Sequence, residues 1–178
     1  MRSDALVLII DVQEKLHPAI EPGLRAQLEA NLPRVVEAST AFGVPILVTE
    51  QYPKGLGPTL PWLKDRLPAA PLPKLSFDAL ADPAVEAAFL ASGRRTVIVA
   101  GMETHICVFQ TVRSLVNRGI KVLVLADAVG SRTRQNYEIG LGLAKDAGAV
   151  ISSTEAVLFD WVGGGGTEDF KLVSRLVR

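Results

Sequence analysis

The stretch Ala-Leu-Val-Leu-Ile-Ile-Asp, residues 5–11, decides the fold of this 178-residue chain. Six apolar residues follow one another without a polar residue between them, and the run ends at an acid. A strand of this kind is buried on both faces, which is typical of a parallel sheet covered by helices. Similar runs predict further strands at Pro45–Thr49, Thr96–Ala100, Lys121–Ala126 and, more weakly, Ala149–Ser152.

Helical patterns separate these apolar runs. Leu24–Phe42 repeats its apolar residues with a helical period, and Asp82 and Gly93 supply an N-cap and a stop for a helix over Pro83–Ser92. Further helices are predicted at Ile106–Asn117, at Gln135–Ala147 and from about Glu168 to the C-terminus. The alternation of strands and helices predicts a single α/β domain over residues 1–178, a Rossmann-like three-layer sandwich with a mainly parallel sheet.

Two segments interrupt the alternation. Gln51–Pro73 contains seven prolines and glycines before Leu72, and few good helix formers. It is long for a structureless connection, which favours a functional loop or a lid. Gly163–Gly166 is a run of four glycines and is interpreted as a flexible hinge before the last helix.

Composition restricts the class of protein. Lysine plus arginine equals aspartate plus glutamate, 19 each, which argues against a nucleic-acid partner. The single cysteine permits no intramolecular disulfide, and with only His17 and His105 beside it a finger-type zinc site is excluded within one chain. No signal peptide and no apolar run of about 18 residues is recognisable, so we expect a cytoplasmic protein without a membrane partner.

Ligands of open α/β sheets bind at the carboxyl ends of the strands, so the residues directly after each strand are the functional candidates. Asp11 follows the first strand, with Gln13 two residues further on, and Glu50 and Gln51 follow the second. The third strand leads into Gly-Met-Glu-Thr-His-Ile-Cys at 101–107. An acid after the first strand, where dinucleotide-binding proteins have a glycine loop, argues against an oxidoreductase that uses a nucleotide.

Two of these residues, Asp11 and Cys107, have reactive side chains, as does Lys74, just after the proline-rich segment. Cys107 falls near the start of the predicted helix Ile106–Asn117, where the helix dipole and free N–H groups favour a thiolate and an oxyanion. Asp11 ends an apolar strand, so partial desolvation would suit it to be a general base. Taken singly, each has a plain alternative: an inert buried cysteine, a structural acid and, for Lys74, an ordinary surface lysine.

Together these residues resemble a known family. Asp-Val-Gln at 11–13, Lys-Leu-Ser-Phe at 74–77 and Gly-Met-Glu-Thr-His-Ile-Cys-Val at 101–108 are similar to the three signatures of isochorismatase-like cysteine hydrolases, in the same order. The segments 49–59 and 127–132 most resemble the isochorismatase-domain-containing proteins. The resemblance covers nearly the whole chain, strand by strand.

The resemblance implies a cysteine hydrolase that acts on a small molecule, most often at an amide carbon–nitrogen bond. In that mechanism Asp11 takes the thiol proton, Lys74 stabilises the thiolate, and Cys107 attacks a carbonyl to give a thioester that water then hydrolyses. It also implies a cis peptide bond between Met102 and Glu103. The N–H groups of Glu103 and Cys107 would then form the oxyanion hole.

The chain departs from the metal-binding members of the superfamily. Glu50 is a possible ligand, but Gln51 and Tyr52 stand where those members have histidine, and no histidine lies between His17 and His105. We therefore expect no metal and no cofactor. The cysteine itself favours carbon–nitrogen hydrolysis over vinyl-ether hydrolysis.

Five residues are candidates for contact with the substrate: Gln13, Gln51, Tyr52, Phe77 and His105. Small-molecule pockets mix aromatic side chains with a few polar groups, as this set does. For His105 the alternative is that it has a structural role or faces solvent. The resemblance further implies a homo-oligomer, a dimer or tetramer. A catalytically silent binding or scaffold protein on the same fold is the competing function.

Overall fold

The computed structural model describes residues 2–178 and contains one six-stranded sheet. All strands are parallel, in the order β3-β2-β1-β4-β5-β6. Their bounds are β1 Ala5–Ile10, β2 Ile46–Gln51, β3 Leu72–Lys74, β4 Thr96–Met102, β5 Lys121–Gly130 and β6 Val150–Ser152. The strand order changes direction between β1 and β4, so the crevice that binds ligands in such sheets opens beside the end of β1.

Eight helices cover the two faces of the sheet. They are α1 Pro22–Ala41, α2 Pro53–Leu56, α3 Pro61–Lys64, α4 Pro83–Ser92, α5 Phe109–Asn117, α6 Arg134–Asp146, α7 Thr154–Val162 and α8 Glu168–Leu176. One core lies between the sheet and α1, α7 and α8, and a second lies between the sheet and α4, α5 and α6. The predicted αβα sandwich with a parallel sheet is therefore confirmed.

Strand β1 runs through the centre of both cores. None of its residues is more than 1% exposed. Val7 and Ile9 contribute to the core beneath α1, whereas Leu6, Leu8 and Ile10 contribute to the core beneath α4 and α5. The run is therefore apolar throughout for the reason that the sequence indicated: alternate side chains of a strand face opposite layers, and both layers bury them.

The sequence did not predict β3 or α7. Strand β3 has only three residues and contains Pro73. The proline is tolerated because β3 lies at the edge of the sheet, where one side of the strand has no neighbour and needs no backbone donor. Its register places Lys74 opposite Gln51, since β2 continues two residues beyond its predicted end. This pairing brings a lysine from the far side of a long connection to the carboxyl edge of the sheet.

The connection Gln51–Pro73 contains regular structure, in keeping with its length. It contains α2 and α3 and is tied by backbone hydrogen bonds to the chain leaving β1. The N–H groups of Glu14 and Lys15 donate to the carbonyls of Pro58 and Leu56, and the Leu60 N–H donates to Val12. Movement of this segment as a lid stays a prediction.

The C-terminal helices complete the core beneath α1. Trp161 of α7 and Val173 of α8 are buried, and Leu176 packs against the same cluster. The apolar face of the last helix is therefore used within the chain. Gly163–Gly166 is exposed and joins α7 to α8, with Gly163 in the left-handed conformation that ends α7. Among residues 2–178, no helix combines the length and the apolar character that crossing a membrane requires.

Gly101 allows β4 to approach β1 at the edge that carries the candidate site. Its φ is +115°, and a Cβ atom there would lie 2.0 Å from the Ile10 carbonyl oxygen. Both facts forbid a side chain, because the clash is with backbone and the conformation is one that L-residues avoid.

We expect Gly101→Ala to lower the free energy of unfolding by about 2–4 kcal/mol, because the strained backbone and the clash with Ile10 add. Gly142→Ala is the matched control, since a Cβ atom there meets nothing within 4 Å in the middle of α6. It should stabilise the protein by about 0.5–1 kcal/mol. Urea denaturation measures both, and equal midpoints for Gly101→Ala and the wild type would contradict the prediction.

Candidate active site

Asp11 is the first residue after β1, and its carboxylate is fully buried. Its φ of +54° is in the left-handed region, which turns the chain at the strand end. The Thr49 hydroxyl donates to Oδ1 at 2.7 Å, and the Lys74 ammonium donates to Oδ2 at 2.8 Å. A buried carboxylate is costly unless it is paired and hydrogen-bonded, and here each oxygen has its own donor.

Lys74 reaches the same point from β3, and its side chain is completely buried. Besides Asp11, its Nζ donates to Gln51 Oε1 at 2.7 Å and to the Ser76 carbonyl at 3.0 Å, with the Phe77 carbonyl further off at 3.5 Å. An ammonium group has three donors and no acceptor, and every one of these partners is an acceptor. The surroundings of Lys74 therefore offer an acceptor for each N–H that it can donate.

Two glutamines form a clamp behind Lys74. The Gln13 Nε2 donates to the carbonyls of Gln51 and Gly57, at 3.0 and 2.7 Å, and the Gln51 N–H donates to Gln13 Oε1 at 2.7 Å. Gln51 in turn donates from Nε2 to the Leu75 carbonyl at 2.7 Å. These amides are occupied by the protein itself, so the geometry gives both glutamines a supporting role, and their contact with substrate stays a prediction.

Cys107 lies in a π-helical turn, Thr104–Val108, that leads from β4 into α5. It is 6% exposed, and the Asp11 carboxylate is close enough to act on its thiol. Burial, then the charge of Asp11, raise the pKa of the Cys107 thiol to about 12, against opposing contributions from the Lys74 charge and a backbone hydrogen bond from Glu103. The resting cysteine is therefore a neutral thiol.

The expectation that helix N–H groups stabilise a thiolate is wrong for the resting site. The N–H groups of Ile106 and Val108 already donate to the Glu103 carbonyl, at 3.0 and 3.2 Å. They are not free to face sulfur, and desolvation of the thiol outweighs what remains of the helix dipole.

Glu103 anchors the other side of the turn. Its carboxylate is nearly buried and binds Arg132, with 2.8 Å between Oε1 and the Arg132 Nε. His105 lies beside it, and its Nδ1 is 3.1 Å from the Ser131 hydroxyl. Burial lowers the pKa of His105, with the nearby Glu103 opposing and Arg132 reinforcing the shift. The peptide bond between Met102 and Glu103 is cis.

The two aromatic candidates lie at the exposed rim of the site, formed by the chain after β2 and β3, and not beside the Cys107 thiol. Tyr52 and Phe77 are each 52% exposed and flank the strand ends that carry Gln51 and Lys74. Tyr52, with Leu75 and prolines, lines a cavity of about 320 Å³ on the outer side of β3. Substrate contact by Tyr52, Phe77 and His105 stays a prediction.

The structure thus brings Asp11, Lys74 and Cys107 to one buried point and surrounds them with polar support. Sequence reasoning missed Thr49 as a member of this group, although it lies directly across the ladder from Ile10. The sequence contained a signal for this role, since a polar residue at the end of an apolar strand, next to Asp11, needs a buried hydrogen-bond partner. Glu50, considered as a metal ligand, accepts the Thr59 N–H at 2.6 Å with its carboxylate.

Comparison with known proteins agrees with this fold. The model of the isochorismatase domain matches residues 5–156. Isochorismatase domain-containing protein 2 of Bos taurus is 32% identical, covering 98% of this chain and 83% of its own length. The MAR1 ribonuclease of Caenorhabditis elegans superposes with a TM-score of 0.90 at 32% identity, covering 99% of this chain and 90% of that one.

Two structures of YcaC proteins are also similar. The protein from Pseudomonas aeruginosa, solved with hexane-2,5-diol and covalent acrylamide, has a TM-score of 0.87 at 25% identity, covering 97% of this chain and 88% of that one. The protein from Escherichia coli, described as an octameric hydrolase of unknown specificity, has a TM-score of 0.86 at 25% identity, covering 98% and 87%.

Fold and family together define an α/β protein of the hydrolase kind. The chain belongs to the isochorismatase family, as its sequence motifs indicated.

We predict that Cys107 shows no thiolate ultraviolet absorbance at pH values where an ordinary thiol, with a pKa of about 8.5, is ionised. Asp11→Asn should lower the pH at which the thiol ionises, because Asp11 raises the thiol pKa, while burial of the thiol continues to raise it. Lys74→Met should not, since Lys74 lowers it. Cys107→Ser provides the blank, and an ordinary titration in the wild type would refute the prediction.

Breaking the buried ion pair should destabilise the protein in a non-additive way. Lys74→Met strands the Asp11 carboxylate without its cation, at a cost of about 3–5 kcal/mol. The double variant Lys74→Met with Asp11→Asn should lose clearly less than the sum of the single changes, because no uncompensated charge remains. Denaturant unfolding of the four proteins measures the coupling. Simple additivity would show that the pair does not act as a unit.

Proposed function

We propose that the protein is a metal-independent hydrolase that uses Cys107 as nucleophile and cleaves the amide carbon–nitrogen bond of a small molecule. The observation that carries the proposal is the buried Asp11 carboxylate, which contacts the Lys74 ammonium on one side and the Cys107 thiol on the other. A base, a cation and a nucleophile within hydrogen-bond reach are the parts that acyl transfer needs.

Proton transfer within this group conserves its charge. In the resting site the ammonium and carboxylate balance, and the thiol is neutral. When Asp11 takes the thiol proton as sulfur attacks, the carboxyl becomes neutral and the ammonium is balanced by the thiolate. The buried group therefore never carries a net charge, which would be expensive in a desolvated site.

The attack forms a tetrahedral intermediate whose oxyanion is received by the N–H groups of Glu103 and Cys107. The Glu103 backbone lowers the pKa of the Cys107 thiol, and this effect on sulfur supports the assignment of the first donor. Collapse breaks the carbon–nitrogen bond, and the proton held by Asp11 passes to the leaving amine. Water then attacks the thioester and Asp11 takes its proton; the carbon–sulfur bond breaks, Asp11 returns the proton to sulfur, and the acid is released with the thiol restored.

One relative supports a nucleophilic site without naming the substrate or the reaction. Acrylamide is a small electrophilic amide, and a covalent acrylamide in the YcaC protein of P. aeruginosa indicates a reactive nucleophile in that structure. The name of the C. elegans relative points to RNA. Here the equal numbers of acidic and basic residues favour a small neutral substrate over a polyanion.

Assembly and location are part of the proposal. The octameric E. coli neighbour supports a homo-oligomer, for which we propose a dimer or tetramer in the cytoplasm. Tyr52, Leu75 and Phe77 expose large apolar surface at the rim, and such surface suits contact with a substrate or a second copy.

The proposal is tested by screening a library of small primary amides and esters for acid release by the purified protein. Cys107→Ala and Asp11→Asn should abolish turnover, whereas Cys107→Ala should keep its fold. Addition of a chelator should change nothing.

A labelled RNA serves as the competing substrate in the same assay. Loss of RNA cleavage in Cys107→Ala, with every amide inert, would overturn amide hydrolysis. A wild-type protein that binds library members and turns over none would favour the silent binding protein.

A further inference from the structure

Thr49 contacts the proposed base at two points. Its hydroxyl donates to Asp11 Oδ1 at 2.7 Å, and its carbonyl accepts the Asp11 N–H at 3.1 Å. The residue is fully buried, so no solvent competes for the hydroxyl. Thr49 therefore fixes both the backbone and the side chain of a residue whose φ is +54°.

The two donors to Asp11 bind different oxygens of its carboxylate. Lys74 takes Oδ2, and Thr49 takes Oδ1. A hydrogen bond to an ionised acceptor is about twice as strong as one between neutral groups, so both donors favour the ionised form. With both in place the carboxylate plane cannot rotate freely, and the direction in which it offers a lone pair to Cys107 is set.

We propose that Thr49 is a positioning residue, which orients the Asp11 carboxylate to accept the proton of Cys107. The inference rests on the proposed function, since it assigns Thr49 a role through Asp11. The titratable groups facing the Asp11 carboxylate are Lys74 from β3 and Cys107 from the turn after β4. Thr49 itself does not titrate, so its effect is on the group it touches.

The experiment measures the rate of Cys107 alkylation by iodoacetamide against pH in the intact protein. The chain has one cysteine, so the signal has one source. If Asp11 must be ionised to take the proton, the acid side of the wild-type rate profile reports Asp11, whereas in Asp11→Asn it should follow the ionisation of the thiol itself and lie at a different pH. Thr49→Val removes the hydroxyl with little change of shape, and should move the fall by about one pH unit towards higher pH. Thr49→Ser keeps the hydroxyl and should restore the wild-type position.

Thr96→Val is the matched control. Thr96 is a buried threonine at the amino end of β4, where its hydroxyl meets Asp4 at the opposite edge of the sheet. The Thr96→Val variant should leave the pH profile of alkylation unchanged, although it changes the stability of the protein. Should Thr49→Val fail to fold, Thr49→Ala removes the same hydroxyl, and circular dichroism verifies the fold of each variant.

The outcomes separate the two proposals. An unshifted profile in Thr49→Val, together with a displaced acid side in Asp11→Asn, overturns the role of Thr49 and leaves the proposed function intact. A wild-type profile identical to that of Asp11→Asn removes Asp11 as the base and overturns both. A loss of rate in Thr49→Val at every pH, without a shift, marks a merely structural role and also overturns the inference.

Discussion

The buried ion pair between Asp11 and Lys74 is the constraint on which the rest of the site depends. Neither side chain reaches solvent, so the free energy of desolvating both must be recovered from their contacts. Removal of either partner leaves the other as an uncompensated charge inside the protein. The surrounding polar groups are arranged accordingly, with acceptors around the ammonium and donors on each carboxylate oxygen.

This requirement explains features of the fold that otherwise look incidental. Strand β3 is only three residues long, yet its register opposite Gln51 is what brings the lysine to the sheet edge. The clamp of Gln13 on Gln51 ties the end of β1 to the end of β2. The connection that holds α2 and α3 is anchored to the same point, since it must return the chain to β3 beside Asp11.

Sequence reasoning recovered the parts of the molecule that are encoded locally. The apolar runs predicted β1, β2, β4, β5 and β6, and the position of Asp11 and Cys107 after strands marked them as candidates. Lys74 was recognised only through family resemblance, because a three-residue edge strand containing a proline carries no periodic signal. The role of Thr49 depends on the register between β1 and β2, and the protonation of Cys107 depends on burial by distant elements. Neither quantity can be read from neighbouring residues alone.

The neutral thiol has a consequence for how the site would work. A thiolate formed in advance would leave the cysteine reactive towards any electrophile that reaches it. Here burial and the charge of Asp11 keep the proton on sulfur, while the same Asp11 is in contact to remove it. In the proposed reaction, ionisation would be coupled to the arrival of a carbonyl that can accept the electron pair, so that the nucleophile would be activated only as it attacks. The charge of Lys74 serves both states, because it balances the carboxylate before proton transfer and the sulfur afterwards.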